Sequence, residues 1–271
     1  MKILDGRELV GYIKERQARQ VRGLRQAWDT IPKLAIIIAS ENPIIDAYVR
    51  LKKRYGEDIL IDVDVHTVSQ SAVKDLIARL NEDASIHGII LQLPLEDISE
   101  TDELVATIAP EKDVDGLGPN ADYTSATATA VDWLLAGYNV TLRGKKIALV
   151  GNGRLVGAPL AKLWRSQELD VTTYDDTTPS LDALRSADII VSAAGVPGLI
   201  QSSMIAPGAV VVDAGTASEN GAIVGDVATD VRERGDVTIT PVRGGVGPLT
   251  IAALFDNVIT AARKIADETD S

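Results

Sequence analysis

Short apolar runs and amphipathic stretches alternate along the first half of the chain. The predicted strands are residues 33–39, 61–68 and 88–91, and the predicted helices are about residues 5–28, 43–55 and 71–81. In the last of these helices, Val73, Ile77 and Leu80 fall on one face. Because strands that alternate with helices pair in parallel, this half predicts an α/β domain.

The second half repeats the alternation after a linker at residues 113–127, which is rich in Asp, Gly, Asn, Thr and Ser. Its predicted strands are residues 146–150, 170–174, 187–195 and 208–213, and its predicted helices are about residues 129–136 and 249–265. We therefore predict two α/β domains flanking a cleft. Residues 1–125 plus 249–271 form the first, with the C-terminal helix packing back on it, and residues 126–248 form a second, Rossmann-like parallel sheet.

The stretch at residues 146–159 carries the clearest chemical signal. A buried strand runs into Gly151, Gly153 and Gly157, and apolar residues at helical spacing follow. Glycines let a ligand approach the backbone closely, and the free amides at a helix N-terminus attract phosphate. The pattern predicts a site for the pyrophosphate of a dinucleotide. A tight strand-to-helix turn of an ordinary α/β domain is the alternative.

Two aspartates, Asp175 and Asp176, follow the next predicted strand, roughly twenty-five residues after Gly151. An acidic residue at that place accepts hydrogen bonds from the adenosine ribose and repels a 2′-phosphate. The pair therefore favours NAD over NADP. A solvated turn before a helix is the alternative, because Asp-Asp-Thr-Thr-Pro is also typical of loops.

Composition excludes several classes of protein. The formal net charge of -12 argues against a nucleic-acid partner. The chain has no cysteine, which rules out disulfides, cysteine-ligated zinc and a cysteine nucleophile. Without a signal-peptide pattern or an apolar run of membrane-spanning length, a cytoplasmic protein with no membrane partner is expected. The two histidines, His66 and His87, lack a catalytic context and are predicted to be structural.

Polar residues from three separate segments are candidates for a shared ligand site. Tyr48 and Lys52 are four residues apart on a predicted helix, so their side chains share a face. Gln92 follows a buried strand, where parallel sheets present side chains to ligands, and Asp115 lies in the linker. For Lys52 a solvated helix face is the alternative, because its neighbours on the helix are also basic.

Seven segments match, in order, those of a known enzyme family. They are residues 48–52 (Tyr-Val-Arg-Leu-Lys), 88–95 (Gly-Ile-Ile-Leu-Gln-Leu-Pro-Leu), 110–116 (Pro-Glu-Lys-Asp-Val-Asp-Gly), 151–159, 194–197 (Ala-Gly-Val-Pro), 225–227 (Gly-Asp-Val) and 240–250. Over nearly its whole length the chain resembles the bifunctional methylenetetrahydrofolate dehydrogenase/methenyltetrahydrofolate cyclohydrolase family.

The resemblance implies two reactions of one-carbon metabolism, which supply purine biosynthesis. 5,10-Methylenetetrahydrofolate is oxidised to 5,10-methenyltetrahydrofolate with NAD or NADP, and water then converts the product to 10-formyltetrahydrofolate. The family needs no metal and usually forms homodimers. Tetrahydrofolate derivatives and a second copy of the chain are therefore the expected partners.

The resemblance also implies roles for individual residues. Lys52 is the central catalytic residue, which polarises the one-carbon centre and assists water, and Gln92 is hydrogen-bonded to it. Asp115 holds the amino and ring-nitrogen groups of the pterin. The residues implied in substrate binding are Tyr48, which stacks on the folate ring system, Pro248 and Leu249.

The dinucleotide is expected to contact loops of the second domain. The residues implied are Gly151, Asn152, Gly153, Arg154, Leu155, Val156, Asp175, Asp176, Ala194, Gly195, Gly245, Gly247 and Thr250. In NADP-using members an arginine and a serine face the 2′-phosphate, and this chain has Asn152 and Asp176 there instead. Both changes favour NAD, although Arg154 is close enough in sequence to bind that phosphate.

Other departures surround the expected site and leave alternatives open. Residues 125–129 replace the family's Pro-Cys-Thr-Pro segment, Arg243 replaces a proline, and Ile45 replaces a serine. The chain could be a dehydrogenase that has lost cyclohydrolase activity, or a catalytically weak NAD-binding regulatory protein. A dehydrogenase for another small substrate, such as a shikimate-type acid, is a further alternative. Retention of the lysine, glutamine and aspartate favours the bifunctional enzyme.

Overall fold

A computed structural model describes residues 2–219 and 222–269. Its helices are α1 (Gly6–Trp28), α2 (Pro43–Ile59), α3 (Val73–Glu82), α4 (Thr101–Val105), α5 (Ala126–Gly137), α6 (Gly157–Ser166), α7 (Thr229–Arg232) and α8 (Val246–Thr269). Its strands are β1 (Lys2–Ile3), β2 (Lys33–Ile38), β3 (Asp62–Thr67), β4 (Gly88–Gln92), β5 (Ile147–Val150), β6 (Val171–Tyr174), β7 (Ile189–Ser192), β8 (Val210–Asp213), β9 (Ala217–Glu219), β10 (Ala222–Val224) and β11 (Thr238–Ile239). Four 3₁₀ turns are Gln70–Ala72, Ile98–Glu100, Asp182–Ser186 and Ser202–Met204.

The chain divides into two compact units, each assembled from separate parts of the sequence. The three-stranded unit comprises Gly11–Ala126 and Ile251–Ser271. The six-stranded unit comprises Met1–Val10 and Thr127–Thr250. Both units alternate strands with helices, which confirms the predicted α/β class with two domains.

In the three-stranded unit the strand order is β3-β2-β4, and both pairs are parallel. The central strand β2 is buried from Leu34 to Ile38, as its unbroken apolar sequence predicts. On α3, the predicted apolar face is buried at Val73, Ile77 and Leu80. These contacts form the core that fixes the carboxyl ends of β2 and β4.

The C-terminal helix belongs to the three-stranded unit from residue 251 onward, as predicted. Its anchor is Gln17 of α1, a fully buried side chain whose Nε2 donates to the carbonyl oxygen of Ala252 at 2.8 Å. The Tyr55 hydroxyl donates to Gln17 Oε1 at 2.8 Å, and its ring stacks on Phe255 with 5.2 Å between centroids. Because the buried amide has both a donor and an acceptor partner, it costs little to bury.

In the six-stranded unit the strand order is β1-β11-β8-β7-β5-β6, with every pair parallel. Residues 1–10 were predicted in the first domain, but β1 is an edge strand here. The amide of Leu4 donates to the carbonyl oxygen of Ile239 at 2.9 Å, and Gly6 donates to Gly244 at 2.9 Å. The predicted boundary at residue 249 also moves, since the unit continues to Thr250.

The structure adds elements that the sequence pattern did not predict. Strands β9 and β10 form an antiparallel pair at Ala217–Glu219 and Ala222–Val224. Helix α5 begins at Ala126, three residues earlier than predicted, and α2 continues to Ile59.

Among the residues described, none of the helices has both the length and the apolar character that crossing a membrane requires.

Candidate active site

The predicted catalytic lysine and glutamine are in direct contact. Lys52 lies in the middle of α2, and Gln92 is the last residue of β4. The Lys52 Nζ donates to Gln92 Oε1 at 2.7 Å, and both side chains are half-buried. Gln92 Nε2 donates to the carbonyl oxygen of Leu93 at 3.2 Å, which orients the amide so that its oxygen faces the lysine. The predicted hydrogen bond between these two side chains is therefore present.

Asp115 is close enough to affect the charge on this lysine. Burial lowers the pKa of Lys52, and the negative charge of Asp115 opposes that change. Burial raises the pKa of Asp115, and the positive charge of Lys52 opposes that change. The structure thus brings the lysine, the glutamine and the aspartate together, and it makes the amine of Lys52 easier to deprotonate than a lysine in water.

A second aspartate shapes the segment that carries Asp115. The amide of Ile89 in β4 donates to the carbonyl oxygen of Lys112 at 2.8 Å, so the segment runs parallel to β4. The buried carboxylate of Asp113 accepts hydrogen bonds from the amides of Gly116, at 3.1 Å, and Gly118, at 2.6 Å. Gly116 has a φ of 68°, which glycine adopts without strain. This turn fixes Asp115 near the end of β4.

Lys112 anchors the same segment to α3. Its side chain is buried, and its Nζ donates to the carbonyl oxygens of Leu80 at 2.9 Å, Asn81 at 2.7 Å and Asp83 at 2.8 Å. These are carbonyl groups at the C-terminal end of a helix, which favour a cation. Sequence reasoning missed Lys112 and Asp113, although both belong to the Pro-Glu-Lys-Asp-Val-Asp-Gly segment.

Tyr48 lies one helical turn before Lys52 on α2, on the same face. Its side chain is half-buried, and burial raises the pKa of its hydroxyl. A cavity of about 340 Å³ lies among the residues that follow β2 and β4. Its lining residues are Ser40, Glu41, Asn42, Pro94, Leu95 and Glu96.

In the six-stranded unit, crowding explains two of the glycines in the predicted dinucleotide loop. Gly151 follows β5 with a φ of 95°, and a Cβ there would lie 2.5 Å from the carbonyl oxygen of Ala193. A Cβ at Gly157, the first residue of α6, would lie 2.0 Å from the carbonyl oxygen of Gly151. Neither position has room for a side chain. The loop therefore folds tightly against the ends of β5 and β7.

Between these glycines the backbone is open. Asn152 and Gly153 are exposed, and a Cβ at Gly153 would meet no atom of the described residues within 4 Å. Arg154 and Val156 are half-buried, and Leu155 is 46% exposed. This stretch leads into a ten-residue helix, and space at a helix N-terminus suits a phosphate group.

The two predicted ribose ligands have different environments. Oδ1 of Asp175 accepts hydrogen bonds from the amide and hydroxyl of Thr177, at 3.1 and 2.6 Å, and the hydroxyl bond lowers the pKa of Asp175. Asp175 thus stabilises its own turn, which agrees with the alternative interpretation of Asp-Asp-Thr-Thr-Pro as a solvated turn. Asp176 is exposed beyond the end of β6 and is the better placed of the two to meet a ligand.

Ala194 and Gly195 follow β7 in a turn held by a side chain that sequence reasoning missed. The buried carboxylate of Asp226 accepts a hydrogen bond from the amide of Ala194 at 2.7 Å. Asp226 belongs to the matched segment Gly-Asp-Val, but its residue type and spacing gave no role. Its burial could be read only from the folded chain.

The predicted contacts at residues 245–250 lie at the start of α8. Gly245 is buried, and its carbonyl oxygen is 1.9 Å from where a Cβ of Gly6 would be, so the two backbones touch. Gly247 is exposed, and Pro248 and Thr250 are half-buried. Leu249 is fully buried, so its side chain cannot reach a ligand without rearrangement.

Comparison with known proteins assigns this arrangement to a family. Residues 4–115 match the catalytic domain, and residues 125–266 the NAD(P)-binding domain, of tetrahydrofolate dehydrogenase/cyclohydrolase. The chain belongs to the tetrahydrofolate dehydrogenase/cyclohydrolase family. The two matches together cover most of the chain, as the seven segments of the sequence predicted.

Individual members of the tetrahydrofolate dehydrogenase/cyclohydrolase family agree over the full length. The bifunctional protein FolD of Exiguobacterium sibiricum is 35% identical over 275 residues, covering 96% of this chain and 99% of the relative. The crystal structure of the Campylobacter jejuni bifunctional FolD enzyme matches with a TM-score of 0.91 at 35% identity, covering 97% and 99%. The Trypanosoma brucei FolD structure, complexed with NADP and an inhibitor, matches with a TM-score of 0.89 at 33% identity, covering 97% of each chain.

Proposed function

We propose that this chain oxidises 5,10-methylenetetrahydrofolate with NAD(P) and hydrolyses the resulting 5,10-methenyl cation to 10-formyltetrahydrofolate. The observation that carries the proposal is the contact between Lys52 and Gln92, with Asp115 acting on the charge of the lysine, in a chain of this family. A module that only bound a dinucleotide would have no need of a half-buried lysine whose pKa is lowered.

On the folate side, the proposed contacts follow from charge and shape. The carboxylate of Asp115 accepts hydrogen bonds from N–H groups of the pterin, a charge-assisted contact. The ring of Tyr48 stacks on the flat folate ring system, which fits a half-buried aromatic side chain. The cavity beside Pro94 and Leu95 gives the rest of the substrate a polar and apolar wall.

In the hydrolytic step, Lys52 is the general base. Its neutral amine takes a proton from water as the water oxygen bonds to the methenyl carbon, which gives a neutral hydroxylated adduct. The bond from that carbon to N5 then breaks as the carbonyl forms, the hydroxyl proton leaves to solvent, and the proton on Lys52 passes to N5. Gln92 holds the Nζ through its amide oxygen, so the amine stays at one position. Burial favours the neutral amine that this step requires.

In the oxidative step, residues 151–157 would hold the pyrophosphate through backbone amides, and Asp176 the adenosine ribose. Held there, the dinucleotide would supply the hydride acceptor for the methylene carbon of the folate. Two features support NAD as the preferred dinucleotide: Asn152 is neutral, and the exposed Asp176 carboxylate repels a 2′-phosphate. The Trypanosoma brucei relative was solved with NADP bound, so the choice between NAD and NADP is tested separately in this chain.

Initial rates with 5,10-methylenetetrahydrofolate test both parts of the proposal. We expect turnover with a higher kcat/KM for NAD than for NADP, and hydrolysis of added methenyl cation without any dinucleotide. A higher kcat/KM for NADP would refute the preference but keep the activity. Hydrolysis missing beside normal oxidation would indicate a dehydrogenase only. Tight dinucleotide binding without either reaction would favour the regulatory protein.

The homodimer that the resemblance implies, and the cytoplasmic location expected from the sequence itself, are part of the proposal. Light scattering on the purified protein would give the mass in solution. A mass near 28.8 kDa, that of one chain, would contradict the dimer.

A further inference from the structure

The turn after β7 touches the glycine loop proposed to bind the pyrophosphate. The amide of Ala193 donates to the carbonyl oxygen of Val150 at 2.7 Å, and Gly151 has no room for a side chain because of Ala193. Gly195, inside the turn, has a φ of 68°. The shape of this turn therefore affects the space beside the loop.

One fully buried carboxylate determines that shape. Oδ2 of Asp226 accepts hydrogen bonds from the Ser192 hydroxyl at 2.7 Å and from the Ala194 amide at 2.7 Å. Its Oδ1 accepts a hydrogen bond from the Val196 amide at 2.9 Å. Three donors on one short segment thus converge on a single side chain that can only accept. Val196 donates its amide to this buried carboxylate, while its side chain is 49% exposed.

A second buried aspartate holds the first in place. Oδ1 of Asp213 accepts a hydrogen bond from the amide of Asp226 at 2.9 Å. Its Oδ2 pairs with Arg232 Nη2 at 2.7 Å, and Nη1 of the same arginine donates to the carbonyl oxygen of Thr240 at 2.9 Å. The ion pair and backbone donors offset the cost of burying this carboxylate. The network joins the ends of β7, β8 and β11.

Two glycines leave space for the two carboxylates. A Cβ at Gly215 would lie 2.1 Å from Oδ1 of Asp226, and a Cβ at Gly225 would lie 2.1 Å from Oδ2 of Asp213. Each carboxylate occupies the place where a side chain would otherwise be. Adding a methyl group at Gly215 would therefore displace the Asp226 carboxylate without changing its charge.

We infer that Asp226 is a positioning residue that holds residues 194–196 in the conformation that receives the dinucleotide. The inference rests on the proposed function, because Ala194 and Gly195 are contacts only if the six-stranded unit binds NAD(P). Asp226 itself is fully buried and acts through the turn. It needs no contact with the dinucleotide.

The conservative variant Asp226→Asn isolates this role. An asparagine has the same shape but only one acceptor oxygen, and its NH₂ group must face either the Val196 amide or the Ser192 and Ala194 donors. At least one backbone N–H of the turn then faces another donor and loses its partner. Gly215→Ala displaces the carboxylate instead. Asp188→Asn is the matched control, since Asp188 is exposed and accepts a hydrogen bond from a single backbone amide, that of Lys146.

The experiment measures three quantities on the full chain. We expect Asp226→Asn and Gly215→Ala to raise the Kd for NADH, by fluorescence titration, about tenfold. Hydrogen exchange at the amides of residues 194 and 196, without dinucleotide, should become faster in both variants. Methenyl hydrolysis, which uses no dinucleotide, should stay within about twofold of the original protein. Asp188→Asn should leave all three unchanged.

Each other outcome has a definite meaning. An unchanged Kd with faster exchange would show that the turn loosens without affecting the dinucleotide, which overturns the inference. An equal loss of hydrolysis and binding would mean that the carboxylate only stabilises the fold, which also overturns it. If the unsubstituted protein binds no NADH, the proposed function fails first, and the exchange rates alone still report whether Asp226 orders the turn.

Discussion

The two candidate sites are built from different parts of the chain. In the three-stranded unit the chemistry belongs to side chains, with Lys52 hydrogen-bonded to Gln92 and influenced by Asp115. In the six-stranded unit the proposed ligand surface is mainly backbone, in the stretch between Gly151 and Gly157 where Asn152 and Gly153 are exposed. The side chains proposed to determine the shape of that backbone are those of Asp226 and Asp213, which accept hydrogen bonds from backbone amides.

This difference determines what a substitution can reveal. A side-chain site loses its function when one functional group is removed, while the fold stays intact. A backbone site keeps its functional groups after almost any substitution, and it fails only when the main chain moves. Four predictions test whether the two sites behave in these two ways.

The largest effect is expected from Lys52→Met, which removes the amine and keeps most of the apolar stem. Methenyl hydrolysis should fall about 10³-fold, the usual contribution of a general base. Dinucleotide binding should not change, because the amine is absent from that surface. Hydrolysis is measured by loss of methenyl absorbance, and the exposed Lys53→Met on the same helix is the control. Unaltered hydrolysis in Lys52→Met would remove Lys52 from the mechanism.

Gly157→Ala should show the opposite pattern. Its Cβ would lie 2.0 Å from the carbonyl oxygen of Gly151, so the glycine loop must shift. We expect the Kd for NADH to rise about 100-fold, as for overpacking of a tight contact, while hydrolysis continues. Gly235→Ala is the control, because a Cβ there would meet no atom of the described residues within 4 Å. Equal binding by the two variants would show that the loop does not contact the dinucleotide.

Asp176→Ser changes a side chain at the backbone site and should have a smaller effect. Removing the exposed carboxylate removes its repulsion of a 2′-phosphate, so the ratio of kcat/KM for NADP to that for NAD should rise about tenfold. The exposed Asp182→Ser, which also removes one negative charge, should not change the ratio. The same rise in both variants would indicate a general charge effect.

Asp115→Asn tests the electrostatic coupling inside the side-chain site. Burial lowers the pKa of Lys52 and Asp115 opposes this, so the variant should lower the pKa of Lys52 further. Hydrolysis depends on the neutral amine and rises as pH increases through that pKa. The rise should therefore occur at lower pH in the variant, measured as kcat at saturating substrate. Hydrolysis that falls instead of rising as pH increases through this range would mean that the charged lysine is the active form.

In each unit the sequence predicted residues proposed to contact a ligand and missed the buried residues that hold them, which are Lys112 and Asp113 in the three-stranded unit. Lys52 and Gln92 could be found because helical spacing and strand ends place side chains in a regular way. In the other unit, glycine spacing revealed the loop, but Asp226 and Asp213 were missed. A buried aspartate looks like any exposed one in sequence, because its partners here are backbone amides of residues far along the chain.

In the fold as well, local features were predicted and features that depend on distant partners were missed. Long periodic elements such as α1 and β2 were predicted to within a residue or two at most ends, since their own residues determine them. The two-residue strand β1 was missed, because only its pairing with β11 makes it a strand. The environment of Asp175 was also left open, since ribose ligand and turn cap are equally compatible with Asp-Asp-Thr-Thr.

The pairing of β1 with β11 has a consequence for the order in which the protein is made. A ribosome releases β1 long before its partner at Thr238–Ile239 has been synthesised. The three-stranded unit must likewise wait for residues 251–269, which supply Phe255 and the carbonyl oxygen that anchors Gln17. Each half therefore finishes folding only after a distant, later segment of the chain has been made, which is β11 for one unit and residues 251–269 for the other.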